Sequence, residues 1–301
     1  MRRAAALGIL TALLLGACGD ATVDAPSPDQ TPIRIGTKNF TEQFILGELY
    51  SRALKAKGFD VQLRSNIGST EITHRALAAG LLDMYPEYVG VLLSVIARVT
   101  DPPRSAPAAY KLAKDFEQRH DYTLLGSTPF SNANALAVKP AYARRHRLRT
   151  IGDLKRLKRW VRIAALPEFR NRYEGLKGLR ARYDLRNLRL LALEDSAERY
   201  PTLDSGKVDV TLAFTTDGQL ATSRYVQLRD PRGVFASGHL APIISSKVLK
   251  AHGPRLAKAI DAVTATLTTP AMRMMNKAVD IDRRRPAEVA QEFLRSHGLV
   301  G

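Results

Sequence analysis

The sequence predicts a two-lobed α/β protein. Short apolar runs typical of strands alternate with amphipathic stretches typical of helices, and the connections between them are only a few residues long. This alternation occurs in two blocks, one that starts at Ile33 and one that starts at Asn134. Hydrophobic residues make up 45% of the 301 residues, which is enough for a core in each block.

The first block begins with a strand at residues 33–36 and a helix that Gly58 ends. A second strand is expected at 61–67, and the run Gly68-Ser69-Thr70 starts a second helix that ends near Gly80. Strand, helix, strand, helix with short connections indicates parallel pairing.

The second block repeats this pattern after a Pro-bearing loop or broken helix at residues 94–109. A helix is expected at 175–183, and the chain after residue 244 has a helical pattern. Strands are expected at 134–138, 162–165, 188–193, 208–214 and 240–244.

The N-terminus resembles that of an exported lipoprotein. Arg2 and Arg3 precede an apolar run that is too short to span a membrane. The run Leu15-Gly16-Ala17-Cys18 is similar to the lipobox of bacterial lipoproteins and contains the chain's only cysteine. We therefore expect a signal peptide at 1–17, lipidation of Cys18 and a flexible tether at 18–31, which places the protein in the periplasm or at the outer face of the cell membrane. The alternative is a chance cysteine in an ordinary signal peptide.

The charge of the chain is +17, from 46 Lys and Arg against 29 Asp and Glu. Its denser basic segments, at 144–149, 155–162 and 170–189, have no zinc-finger spacing and no RNA-binding aromatic motif. After export the protein would also meet little nucleic acid. We expect no nucleic-acid partner; solvated basic helix faces and attraction to anionic lipid account better for the charge.

Motifs of enzymes and metal sites are missing from the sequence. There is no Gly-x-Ser-x-Gly elbow, and lipidation would leave no free thiol. The six histidines form no i, i+4 pair, so we expect no catalytic residue, no metal and no cofactor. His239 is of interest because it lies near the predicted hinge. An exported hydrolase stays open as an alternative.

Two motifs follow predicted strands, where ligands of open α/β sheets bind. Lys38-Asn39-Phe40-Thr41-Glu42-Gln43 comes after the first strand, and Gly68-Ser69-Thr70 comes after the second. A helix N-terminus at such a position offers free N–H groups to an anion. The alternative for each motif is plain helix capping.

Aromatic residues suggest a site for a cation. The run Asp83-Met84-Tyr85-Pro86-Glu87-Tyr88-Val89-Gly90 suits a turn that presents two rings, and Tyr200 and the run 214–218 follow downstream. The faces of aromatic rings attract cations that cannot be neutralised, above all quaternary ammonium groups. The alternative is ordinary core packing.

Seven stretches in order make the chain resemble a known family, the glycine betaine/carnitine/choline-binding proteins of osmoprotectant ABC transporters. They are IGTKNFTEQFILGELY, the GST helix start, LDMYPEYVG, NANALAV, PEFRNRYEGLKGL, KVDVTLAFTTDG and PAEVAQEFLRSHGL, and they span Ile33 to Leu299. The resemblance implies the type II periplasmic-binding fold, with a ligand cleft between two lobes and crossings near 134–138 and 240–244. It assigns residues 32–133 and 242–301 to lobe 1 and residues 134–241 to lobe 2.

The resemblance also implies the ligand site. Tyr88 and Tyr200 match tyrosines of the family's aromatic cage, and Phe214 stands where a tyrosine is usual. Lys38 and Arg172 match the basic partners of a ligand carboxylate, Arg as a bidentate fork and Lys as a point charge.

Three departures from the family pattern affect this site. Asn134 replaces a cage tyrosine, Val91 replaces the usual Thr or Asp, and the FPPY-like stretch reads Phe-Ala-Ser-Gly-His at 235–239. These changes predict a weaker or altered ligand preference, such as a bulkier or more polar cation that hydrogen-bonds Asn134.

The sequence as a whole predicts a monomeric, extracytoplasmic solute-binding lipoprotein of an ABC importer. Its partners would be a small quaternary amine or zwitterion, a permease with its ATPase, and the membrane through the lipid anchor. A different solute on the same fold, such as an amino acid or a polyamine, is the alternative. Lys38 and Arg172 disfavour a polyamine, which would need acidic groups instead.

Overall fold

The structure is a computed structural model that describes residues 32–100, 102–103, 105–235 and 238–301. The predicted signal peptide at 1–17, the tether at 18–31 and the lipidation site Cys18 lie outside these residues. Within the described ranges, no helix combines the length and the apolar character that crossing a membrane requires.

Within the described part of the chain, ten strands form two five-stranded sheets. The strands are β1 (Ile33–Lys38), β2 (Val61–Gly68), β3 (Met84–Tyr88), β4 (Tyr122–Leu124), β5 (Asn134–Val138), β6 (Val161–Ala165), β7 (Leu188–Ala192), β8 (Val210–Phe214), β9 (Val226–Leu228) and β10 (Leu240–Ser245).

Helices cover both sheets. They are α1 (Thr41–Ala56), α2 (Thr70–Ala78), α3 (Val89–Val91), α4 (Ala106–Gln118), α5 (Pro140–His146), α6 (Gly178–Tyr183), α7 (Arg199–Asp204), α8 (Ser246–His252), α9 (Pro254–Thr266), α10 (Thr269–Asp280) and α11 (Pro286–Ser296). A π-helical turn, Leu92–Ile96, continues α3, so part of the predicted broken helix at 94–109 is helical.

The two sheets have the same topology. The first has the order β2-β1-β3-β10-β4 and the second the order β7-β6-β8-β5-β9. In each, three parallel strands are followed by an antiparallel strand and a short edge strand. We call the part built on the first sheet lobe 1 and the part built on the second lobe 2. The predicted two-lobed α/β architecture is confirmed.

The chain passes between the lobes at two neighbouring segments. Ser131 and His239 form an antiparallel bridge there. The Asn132 N–H donates to the Gly238 carbonyl at 2.9 Å, and the Gly238 N–H donates to Ser131 Oγ at 2.9 Å. The crossings therefore lie just before β5 and just before β10. β10 already pairs with β3 at Leu240, and the exact lobe boundaries stay a prediction.

His239 is part of this junction. Its Nδ1 lies 2.8 Å from the Thr128 carbonyl oxygen and 2.9 Å from that of Phe130, so the ring donates its N–H to both. Because both acceptors are backbone carbonyls, these hydrogen bonds fix the position of the second crossing segment relative to the first.

Replacing Gly238 by Ala is expected to disturb the junction. A Cβ at this position would overlap the carbonyl oxygen of Asn132, so one of the two crossing segments has to move. Overpacking of this kind lowers the free energy of unfolding by about 1 to 3 kcal/mol. Urea denaturation measures the change, with Gly301→Ala as the control because a Cβ there meets no atom within 4 Å. Equal stability of the two variants would contradict the expectation.

Candidate functional site

β3 is a buried strand, so the prediction of a turn at residues 83–90 that presents two rings is wrong. All five residues of β3 are buried, and the strand pairs with both β1 and β10. The turn was inferred partly from Pro86, which lacks a donor for strand pairing. Pro86 lies opposite Pro242 of β10, so the pair removes two donors at one point of the ladder.

Lys38, at the end of β1, forms a buried ion pair. Its Nζ donates to Glu87 Oε1 at 2.5 Å and to Thr70 Oγ1 at 3.2 Å. The two charged side chains are 5% and 0% exposed. The charge of Lys38 is thus neutralised inside lobe 1, and its predicted contact with a ligand carboxylate would compete with Glu87.

Tyr88, at the end of β3, places an aromatic ring next to Lys38. Its ring stacks on the ring of Phe40 at 6.2 Å, and Lys38 Nζ lies 4.5 Å from its centroid. Its hydroxyl donates to Glu42 Oε1 at 2.6 Å. Burial, followed by the charge of Glu42, raises the pKa of Tyr88 well above its usual value. The phenol therefore stays protonated and keeps donating.

Glu42, in the first turn of α1, is 3% exposed and joins three parts of the molecule. Asn132 Nδ2 donates to its Oε1 at 2.9 Å, and Asn276 Nδ2 donates to its Oε2 at 2.8 Å. Asn276 Nδ2 also reaches the carbonyl of Thr216 in lobe 2 at 2.8 Å. These roles of Asn132 and Asn276 were not predicted from the sequence. The sequence placed Glu42 in the motif after the first strand but indicated no individual role for it.

Helix capping does not explain the two motifs that follow β1 and β2. Phe40 and Ser69 occupy the N-cap positions of α1 and α2, and neither side chain makes a capping hydrogen bond. Lys38 and Thr70 instead bond to each other and to Glu87 of β3.

In lobe 2, Asp217 organises the two predicted aromatic residues. Its carboxylate accepts from the Tyr200 hydroxyl and from the Phe214 N–H, each at 2.8 Å. Arg199 forms a buried ion pair with it at 2.8 Å and lies 4.7 Å from the Phe214 ring centroid. Tyr200 is buried against Tyr225, and burial, then the charge of Asp217, raises its pKa. Neither Arg199 nor the role of the Asp217 carboxylate was predicted from the sequence.

The other predicted residues have different environments. Asn134 lies opposite Phe214 on neighbouring strands, and its Nδ2 donates to the Glu174 carbonyl at 3.2 Å. Arg172 is exposed, with its side chain 67% accessible and 3.9 Å from Glu168. Val91 is half-buried and packs against the core of lobe 1.

Helix α10 holds lobe 2 against lobe 1. Arg273 donates to the Thr215 carbonyl at 2.5 Å, and a Cβ on Gly218 would overlap the backbone of α10 at Lys277. On the other side of α10, Asp280 accepts from the Thr41 hydroxyl of α1 at 2.7 Å. The structure therefore brings the ends of β1 and β3 close to the segment after β8. No group of three His, Cys, Asp or Glu within the described ranges could hold a metal ion.

Comparison with known proteins shows the family of the chain. Residues 31–296 match the family model described as the substrate binding domain of ABC-type glycine betaine transport system. A glycine-betaine-binding protein of Pseudomonas aeruginosa is 31% identical over 89% of this chain and 88% of its own length. A carnitine transport binding protein of Listeria monocytogenes is 26% identical over 96% of this chain and 94% of its own length.

A solved structure has the same fold. The crystal structure of a glycine betaine/carnitine/choline ABC transporter component superposes with a TM-score of 0.81 at 25% identity, covering 89% of this chain and 99% of that one. The predicted type II periplasmic-binding fold is thereby confirmed. The chain belongs to the family of substrate-binding domains of ABC-type glycine betaine transport systems.

Proposed function

We propose that this protein binds a quaternary ammonium osmoprotectant, such as glycine betaine, choline or carnitine, and delivers it to a membrane permease. One observation carries the proposal: a chain of hydrogen bonds links Tyr88 of lobe 1 to the segment that follows Phe214 in lobe 2. Tyr88 of lobe 1 is linked through Glu42 and Asn276 to the Thr216 carbonyl, two residues after Phe214 of lobe 2. A ligand at this junction would contact both lobes and favour their closure.

The charges of the site refine this proposal. Lys38 is paired with Glu87, and Arg199 is paired with Asp217. Arg172 is exposed and only weakly paired, so it is the best candidate to hold a ligand carboxylate with its bidentate fork. Half-buried Asn134, beside Phe214, offers a hydrogen bond to a more polar cation.

The cellular setting is part of the proposal. The protein would be a monomeric lipoprotein anchored through Cys18, in the periplasm or at the outer face of the membrane, and its partners would be a permease and its ATPase. It would need no cofactor and would return its ligand chemically unchanged, which distinguishes it from an exported hydrolase.

Calorimetric titration of the purified protein with glycine betaine, choline, carnitine, proline betaine and ectoine tests the proposal. Micromolar binding of a trimethylammonium compound is expected, with the ligand recovered intact. Absence of heat with every trimethylammonium compound would contradict it and would favour another solute on the same fold.

Replacing Asn134 by Tyr is expected to tighten glycine betaine binding. A ring next to Phe214 adds one cation–π contact, worth about 0.5 to 2 kcal/mol, or roughly a few-fold to thirty-fold in affinity. Asn134→Leu is the matched control, because it also removes the bond to Glu174 and adds apolar volume without a ring face. Unchanged betaine affinity in Asn134→Tyr would show that this position lies outside the ligand site.

A further inference from the structure

The Glu42 carboxylate is a buried negative charge without a cation. Its three hydrogen-bond partners, Tyr88, Asn132 and Asn276, are all neutral donors. Among the residues that the structure describes, no Lys, Arg or His forms an ion pair with it. All three donors point at its two oxygens, so both oxygens act as acceptors.

The neighbouring buried charges do not balance it. Lys38 is already neutralised by Glu87 at 2.5 Å. On α10, Arg273 and Asp280 are opposite in sign, and Lys277 is paired with Asp282. None of these cations forms an ion pair with Glu42 among the described residues.

Two amide oxygens add partial negative charge near Glu42. Asn132 Oδ1 and Asn276 Oδ1 are buried and have no hydrogen-bond donor within the described part of the chain. Flipping either amide would place an oxygen against the Glu42 carboxylate, so the observed orientation is the favourable one. Both amides donate to Glu42, and Asn276 also donates to the Thr216 carbonyl, while their oxygens keep unsatisfied acceptor capacity that a nearby positive group would satisfy.

Tyr88 connects this cluster to the ligand site. Its hydroxyl donates to Glu42, and a phenol that donates to a carboxylate has a more electron-rich ring. The Lys38 ammonium, 4.5 Å from the ring centroid, shows that the ring accepts a cation. Glu42 thus strengthens the attraction of Tyr88 for positive charge.

We infer that Glu42, held by Asn132 and Asn276, is the cation-selecting element of the ligand site. It favours a ligand with a permanent positive charge over a ligand of the same shape without one. The inference rests on the proposed function, because it requires the ligand's ammonium group to contact Tyr88.

The test compares glycine betaine with 3,3-dimethylbutanoate, which has the same shape but carbon in place of the ammonium nitrogen. In Glu42→Gln, betaine affinity is expected to fall about tenfold, while dimethylbutanoate affinity holds or rises because a negative charge has been removed. Competition titrations measure both ligands. Glu48→Gln on the same helix is the matched control, since Glu48 is paired with Arg52, and it should change neither affinity.

Tyr88→Phe is the second variant, in case Glu42→Gln fails to fold. It keeps the ring and removes its bond to Glu42, so betaine affinity should fall a few-fold without a loss for dimethylbutanoate. If the affinities for both ligands fall in parallel, or if neither affinity changes, the inference is overturned and the proposed function is left intact. Failure of the unmodified protein to bind any quaternary ammonium compound would overturn both.

Discussion

Replacing Lys38 by Met is expected to lower the free energy of unfolding by about 3 to 5 kcal/mol. The substitution leaves Glu87 charged and 0% exposed, with Thr70 and the Tyr88 N–H as its hydrogen-bond donors. Met fills a similar volume and keeps the packing. The free-energy cost of an unpaired charge in the protein interior is far larger than this packing contribution. Urea denaturation at pH 7 measures the loss.

The double variant Lys38→Met/Glu87→Gln separates the structural role of Lys38 from a role in binding. Removing both charges should restore most of the stability, because no buried charge is then left unpaired. If the double variant is stable and still binds betaine with unchanged affinity, Lys38 does not hold the ligand carboxylate. A double variant as unstable as Lys38→Met would contradict the account of the ion pair.

Replacing Glu117 by Gln is expected to stabilise the protein by about 3 kcal/mol above pH 7 and to have little effect near pH 4.5. Glu117 on α4 is 0% exposed, and neither carboxyl oxygen has a hydrogen-bond partner among the described residues. Burial, followed by the charge of Glu87, raises its pKa from 4.5 to about 7. Burial, followed by the charge of Glu117, raises the pKa of the neighbouring Tyr122.

The sign of this effect follows from proton binding. Because the pKa of Glu117 is higher in the folded protein than in the unfolded chain, the folded protein binds more protons between pH 4.5 and about 7. The native protein therefore loses stability as the pH rises through that range, whereas Glu117→Gln does not.

Urea denaturation of both proteins at pH 4.5, 6 and 8 gives the comparison. Asp115→Asn is the matched control on the same helix, because Asp115 is half-exposed and pairs with Lys111 at the surface, where an ion pair contributes about 1 kcal/mol or less. A difference between native protein and Glu117→Gln that stays constant with pH would contradict the assignment.

Strands formed by uninterrupted apolar runs were predictable. β5 was expected at residues 134–138, where the structure places it, and β10 extends only one residue beyond its predicted range. β3 was not predicted, because Pro86 normally excludes a central strand and its partner Pro242 lies far away in the sequence. The edge strands β4 and β9, of three residues each, are too short for a recognisable alternation.

The sequence did not indicate which residues the predicted site residues would contact. Resemblance located Lys38, Tyr88 and Phe214, and the structure places each of them at the end of a strand. The partners of these residues were not visible: Glu87 is 49 residues from Lys38, and Asn276 is 234 residues from Glu42. Local patterns report helix and strand preference, whereas such pairs depend on the completed topology.

The position of β10 sets an order of folding. β10 lies between β3 and β4, so the first sheet cannot close until residues 240–245 are available. All strands of the second sheet lie between residues 134 and 228, so lobe 2 can complete its sheet earlier although it comes later in the chain than β1 to β4. A chain that is made from its N-terminus would therefore expose the unpaired edges of β3 and β4 until residues 240–245 have been added. Truncation after residue 239 should accordingly leave lobe 2 folded and lobe 1 open.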